Sequence, residues 1–263
     1  MLRRMMMSYT DKVLPEIPAP IPAMEIPSFD MKVSGSIWNN ISATKPLRSA
    51  QPLPFEAMGQ DQGMVLYRTR LIGHKKGKLT ITAPHDYALV FLNHQFIDTI
   101  WRDGGKWTVD LPASDPSIKD PLLEILVEGM GHINFAQYMI DRKGITERVT
   151  LNGMTLMNWE MFMLPIDGNF IQKSAGSADQ RPGLFFSGNF SLDKTADTFF
   201  DLSGYSKGVC FVNGHLLGRY WNIGPQQRLF CPASWLKKGN NEVVVFDLHQ
   251  LQPAAISGKQ IMN

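Results

Sequence analysis

Lys207-Gly208-Val209-Cys210-Phe211-Val212-Asn213-Gly214-His215-Leu216-Leu217-Gly218-Arg219-Tyr220-Trp221 is the stretch that decides the fold. An apolar run meets Asn-Gly, whose two residues tolerate φ > 0, and a second run returns. That pattern predicts a tight β-hairpin. Gly218 lets the return strand pass closely, and Arg219 is placed to pack on the aromatic faces of Tyr220 and Trp221. Working outward, the same signature recurs upstream. Val90-Phe91-Leu92-Asn93-His94 resembles Phe211-Val212-Asn213-Gly214, and Leu126-Val127-Glu128 resembles Val245-Phe246-Asp247. Residues 66–71 have a weaker counterpart in 184–190. The three pairs lie about 120 residues apart in the same order, which predicts one module used twice.

The segments around these repeats are also β in character. Leu79-Thr80-Ile81-Thr82 alternates with period 2, whereas Ala88-Leu89-Val90-Phe91-Leu92 and Leu122-Leu123-Glu124-Ile125-Leu126-Val127 are largely apolar on both parities. Turn signals punctuate them at Asp103-Gly104-Gly105, Asn152-Gly153, Asp167-Gly168, Asn213-Gly214 and Lys238-Gly239-Asn240. The fold class is therefore all-β, with two jelly-roll sandwiches expected over 45–155 and 156–263, each with its own core. Ahead of them, residues 1–13 suit a short helix with Leu2, Met5, Met6 and Tyr9 on roughly one face. Prolines 15, 18, 20, 22 and 27 make the rest of 1–44 an extended connector running along or between the sandwiches.

Composition narrows the function. The chain has 263 residues, 44% of them hydrophobic and 19% charged, enough to bury a core. Its 26 basic and 24 acidic residues leave a net charge of +2, which offers no broad field for nucleic acid or an anionic membrane. No apolar run approaches a membrane span, and Leu2-Arg3-Arg4 is not followed by the apolar stretch of a signal peptide. The two cysteines, Cys210 and Cys231, sit in apolar surroundings and suit buried thiols; a disulfide requires their strands to be neighbours. The scattered histidines and distant cysteines give no zinc spacing, so no metal and no cofactor is expected.

The 207–221 hairpin, with Gly224-Pro225-Gln226 after it, closely resembles the C-terminal region of the family 35 glycoside hydrolases, the β-galactosidases. Gly63-Met64-Val65-Leu66-Tyr67-Arg68-Thr69, the run from Leu126 to Phe135, Asp141-Arg142-Lys143-Gly144-Ile145, Gly188-Asn189-Phe190 and Leu236-Lys237-Lys238-Gly239-Asn240 agree in the right order. The resemblance covers nearly the whole chain. It implies two galactose-binding-domain-like jelly rolls that follow a catalytic (α/β)₈ barrel. Residues 1–13 are similar to that barrel's last helix, and the Pro-rich stretch to its exit linker. The parent enzyme is then one that removes terminal β-galactose with retention, and is secreted, periplasmic or lysosomal. The partners implied are the barrel of the same polypeptide and a β-galactoside or galacto-oligosaccharide.

Retaining hydrolysis needs two carboxyl groups about 5–5.5 Å apart. In the family both are barrel glutamates. Here Glu124 and Glu128 are the one close pair within a predicted strand, and four residues of strand separate them by about 13 Å. Asp141 and Glu147 flank a basic loop and look like surface or turn residues. No catalytic residue is therefore expected in this chain, which should be inactive alone and should support the barrel and its substrate entrance. The apolar side of residues 2–9 should self-associate or dock.

The loop from Gly129 to Tyr138, with its exposed-looking Asn134, Phe135 and Tyr138, is expected beside the substrate of the intact enzyme. The resemblance implies that Phe135 stands where the family has a tyrosine bordering the galactose pocket. The alternative is that the loop only packs between the two sandwiches. The family pattern there is usually Gly-Arg-x-Asn-Tyr-Gly. This chain has His132, Phe135 and Ala136 instead, so it has fewer donors than an arginine offers and lacks the tyrosine hydroxyl. The alternative function is a carbohydrate-binding pair. For that, Trp101, just before the Gly104-Gly105 turn, is the stacking candidate among the six tryptophans.

Overall fold

Strands that alternate in sequence form the outer sheets of the molecule, and strands apolar on both parities form the inner ones. The computed structural model describes residues 2–10, 12–17, 21–41, 44–176 and 181–262, so Pro18 and Pro20 of the expected connector lie outside the described residues. The first inner sheet runs, in spatial order, Leu47–Ser49, Trp159–Leu164, Met64–Arg70, Leu122–Glu128, Tyr87–Leu92 and Gln95–Trp101. Its outer companion holds Met154–Thr155, Val149–Leu151, Gly77–Ile81 and Thr108–Leu111. The second inner sheet runs His215–Trp221, Lys207–Val212, Gly239–Asp247, Leu184–Leu192 and Lys32–Ser36. It is backed by Ile26–Phe29, Ile256–Lys259, Thr198–Asp201 and Arg228–Cys231. The ladders are antiparallel.

Three apolar clusters glue these four layers together. The first, with Val65, Tyr67, Ala88, Val90, Ile125 and Trp159, fills the first sandwich. The second, with Phe186, Cys210, Val212, Val243 and Val245, fills the second. The third lies between the inner sheets and joins Leu66, Leu89, Phe91, Leu126 and Phe162 to Phe185, Phe211 and Phe246. Strand Tyr87–Leu92 shows the reason for its composition. Ala88, Val90 and Leu92 point into its own sandwich, while Tyr87, Leu89 and Phe91 point at the other one. The outer strands Thr108–Leu111 and Arg228–Cys231 bury alternate residues because water lies on one side.

The repeat is visible in the register. Both copies of the hairpin carry a bulge, at Val90/Phe91 and at Cys210/Phe211, and 210 − 90 = 120. Asn93 and His94 have φ of 49° and 68°, and Asn213 and Gly214 have 48° and 84°. Asn93 Oδ1 accepts from Leu122 N at 2.8 Å, as Asn213 Oδ1 accepts from Glu242 N at 3.1 Å.

Several expectations need correction. Residues 26–29 and 32–36 are not connector: they are strands of the second sandwich, pairing with Ile256–Lys259 and Leu184–Leu192. Trp159–Leu164 lies beyond the expected boundary at 155, yet pairs with Met64–Arg70 of the first sandwich. The N-terminal helix spans only Leu2–Met7 and buries none of its residues. At the turn signal Asp167-Gly168, between two strands, Asp167 caps helix Gly168–Ser174, its side chain accepting from Phe170 N. Cys210 and Cys231 are free and buried, and burial pushes the Cys231 thiol up to about 12. No helix of the described residues is long and apolar enough to cross a membrane.

Charge is buried in the third cluster. Lys207 and Glu128, 2% exposed each, pair across the two sandwiches. The ammonium also lies 4.8 Å from the centroid of Tyr87 and 4.6 Å from that of Trp221. Arg219 does not pack on its neighbouring rings; its Nε donates to Glu128 Oε1 at 3.3 Å. Removing Lys207 leaves buried Glu128 with only the part-exposed Arg219 as counter-ion, whereas removing both charges leaves no buried ion. Lys207→Ala should therefore cost about 3–5 kcal/mol in urea unfolding. The double variant Glu128→Gln/Lys207→Met should recover most of that loss. Equal losses in the single and double variants would show that the pair is not what the interface depends on.

Candidate functional site

The loop after strand Leu122–Glu128 has a rigid base and an exposed tip. At the base, Gly129 N donates to Gly63 O, and Gly129 O accepts from Arg219 Nη2 at 2.7 Å, a bond from the second sandwich. Met130 N donates to Asp86 Oδ2 at 2.7 Å and Ile133 N to Asp141 Oδ2 at 3.0 Å. Beyond Asn134 the loop turns through a 3₁₀ segment, Ala136–Met139. Ala136 has φ 56°, the conformation that explains a glycine in the family pattern at this position.

Asp86 and Asp141 belong to a buried charge network. Lys143 Nζ lies 2.9 Å from Asp86 Oδ2 and 2.8 Å from Asp141 Oδ2; Arg102 Nη1 lies 3.3 Å from Asp86 Oδ1 and 2.7 Å from Asp141 Oδ1. Asp141 is thus not the surface residue the sequence suggested. Burial pushes its carboxyl up, but the bonds from Lys143, Ile133 and Arg102 outweigh that and hold it at about 2. On the outer side, Glu56 Oε1 takes bonds from Lys143 N and from His132 Nε2 at 3.0 Å.

The predicted site residues divide into two groups. Asn134 and Phe135 are exposed at the tip, Phe135 to 79%, together with Met139 and Ile140. Tyr138 lies in the 3₁₀ segment, and its side chain is outside the described residues. Trp101 is not at the tip. It lines a cleft of about 720 Å³ at the loop's base, shared with Arg102, Met130, Ile133 and Trp221. Asp86 and Lys143 were not foreseen as site residues, and Trp221 only as one of the six candidate tryptophans. The available signal was the repeat itself, because Trp221 is the mate of Trp101 (221 − 101 = 120).

The two buried glutamates of Leu122–Glu128 are counter-ions. Glu124 takes Arg68 and His94, both at 2.8 Å, and Glu128 takes Lys207 and Arg219. Among the described residues no group of three or more His, Cys, Asp or Glu is placed to hold a metal ion.

Fold and cleft define a twinned antiparallel β-sandwich module. Residues 52–165 match the family described as "Beta-galactosidase, first all-beta domain", and residues 183–241 match "Beta-galactosidase, galactose-binding domain". The chain is 34% identical over 224 residues to a β-galactosidase of Xanthomonas manihotis, covering 84% of this chain and 36% of that protein. It is 33% identical over 258 residues to "Beta-galactosidase-1-like protein 2" of Homo sapiens, covering 92% and 39%. A lectin structure from Pleurotus ostreatus overlaps 92% of this chain and 82% of its own, at 12% identity and a TM-score of 0.24, too low to carry an argument. The chain belongs to the non-catalytic C-terminal all-β and galactose-binding domains of the family 35 β-galactosidases. It spans about two fifths of the length of the curated relatives it matches.

The charge network makes a pH prediction. A carboxyl depressed to about 2 contributes stability that is complete above its unfolded value near 4 and is lost as pH falls through about 2. Asp141→Asn should lower the urea midpoint at pH 7 and flatten the acid-side decline between about pH 4 and 2. An unchanged decline would show that Asp141 does not hold the loop.

Proposed function

We propose that this chain is the accessory β-region of a retaining β-galactosidase, that it seats against a catalytic (α/β)₈ barrel, and that its 129–140 loop stands at the substrate entrance. One observation carries this. The loop is anchored at its base by Asp86, Asp141 and Arg219, yet presents Phe135 and Ile140 almost fully to solvent. Rigid ordering of an exposed apolar tip is costly unless something covers it. The exposed Leu2, Met5 and Met6 of the N-terminal helix suit the same cover. The relatives are β-galactosidases, and the activity proposed for the intact enzyme is accordingly hydrolysis of terminal β-galactosides. Phe135 stands where the family pattern has tyrosine, so its ring borders a sugar without donating to it.

In the full-length enzyme, Phe135→Ala should lower kcat/KM about tenfold with an unchanged melting temperature, and Phe135→Tyr should be tolerated. Unchanged kinetics with a lowered melting temperature would mean that the loop is only structural.

A further inference from the structure

The cleft at the loop's base lies where the two copies of the repeat face each other. Trp101 and Trp221 are mates at an offset of 120, and so are Tyr87 and Lys207 (207 − 87 = 120). Tyr87 pairs with Trp101 in one hairpin and Lys207 with Trp221 in the other. The two indoles meet at 90° with centroids 5.9 Å apart.

The two rings are not equally available. Tyr87 stacks on Trp101 at 5.9 Å and 15°. Gly104 lies so close over the Trp101 pyrrole ring that a Cβ there would be 2.0 Å from Nε1. Trp221 has one face occupied by the buried Lys207 ammonium. Trp221 also meets Tyr87 at 5.4 Å and 83° and Trp101 at 5.9 Å and 90°, and it borders the cleft. Neither indole N–H donates to an acceptor among the described residues, and neither is among the buried atoms without a partner, so both reach solvent. Arg102 spends only Nη1 on the two aspartates, leaving the rest of its fork at the cleft wall. Asp103, exposed at the rim, has no hydrogen-bond partner among the described residues.

We propose that this cleft is a binding subsite for a neutral pyranoside, with Trp221 as its stacking platform. The C–H face of a sugar packs on an aromatic ring, and its vicinal hydroxyls match a planar guanidinium and a carboxylate. The volume, about 720 Å³, suits a mono- or disaccharide unit. Charge selects the neutral class. Asp86, Asp103 and Asp141 outnumber Arg102 and Lys143 in the lining, which disfavours a uronate. Lys207 beneath Trp221 disfavours a cationic ligand on the same ring. That the sugar is a β-galactoside rests on the β-galactosidase reading above; the cleft requires only a neutral ring.

The 263-residue chain is titrated with β-linked galactotetraose, followed by indole fluorescence and calorimetry. We expect saturable binding with a Kd of about 1 mM. Trp221→Ala should weaken it at least about tenfold, Trp221→Phe less, and the rim variant Asp103→Asn about threefold. Tetragalacturonate should bind at least about tenfold more weakly than the neutral tetramer. Should Trp221→Ala fail to fold, Trp221→Phe and Asp103→Asn carry the test. No saturable binding to about 50 mM, or binding that ignores all these substitutions, would overturn the proposal. Equal binding of the uronate would overturn it too. Those failures leave the Phe135 kinetics of the intact enzyme untouched, so a wrong subsite and a wrong barrel docking are told apart.

Discussion

The structure depends on the burial of both faces of its two inner sheets. A sandwich standing alone in water needs one apolar face per sheet; here the inner sheets also bury their backs against each other, through Phe91, Leu126, Phe211 and Phe246. Interfaces between domains of one chain are commonly polar and permit movement. This one is built like a core, and adds a charge pair that is favourable in one register only. Glu128 and Lys207 neutralise each other, with Tyr87 and Trp221 around the ammonium. Such a pair contributes little net stability over a hydrophobic substitute, but a slipped interface would leave both ions unpaired in an apolar layer.

The loop and the cleft inherit their geometry from that constraint. Glu128 is the last residue of its strand and Gly129 the first of the loop. Arg219, from the other sandwich, spans the two: it donates to the Glu128 carboxylate and to the Gly129 carbonyl. A shift of one sandwich against the other would pull on the loop directly. The Asp86, Asp141, Lys143 and Arg102 network then fixes the next four residues from within the first sandwich. The exposed tip is thus held by groups on both halves of the molecule, and the two tryptophans meet because the same halves meet.

Much of this was legible in the sequence. Alternation in 79–82 and apolarity on both parities in 88–92 mark strands buried on one face and on two, but not that the second face of 88–92 packs on the other sandwich. Periodicity reports burial, not what does the burying. The Asn93 and Asn213 turns announced the repeat because left-handed backbone favours few residues. What stayed hidden depended on long-range pairing. Residues 26–36 look like connector because they follow a proline-rich run and contain Pro27, yet they hold two strands of a sandwich whose other members begin near 184. Lys207 and Asp141 look like surface charges, since nothing local shows a counter-ion far away in the chain. At the site, type and position single out Phe135 and Trp101, and Trp221 is one of the six candidate tryptophans; Asp86 and Lys143 carry no local signal, because only the fold brings them to one cleft.

The central claim is that the two sandwiches stand as one unit through their shared inner face. Native-state hydrogen exchange across a denaturant series tests it most directly. The amides of Leu122–Glu128 and of Gly239–Asp247 should open with the same free energy and the same denaturant dependence, in one cooperative event. If one strand exchanges through a lower-energy opening while the other stays protected, the sandwiches unfold independently, and the seam does not hold the molecule together.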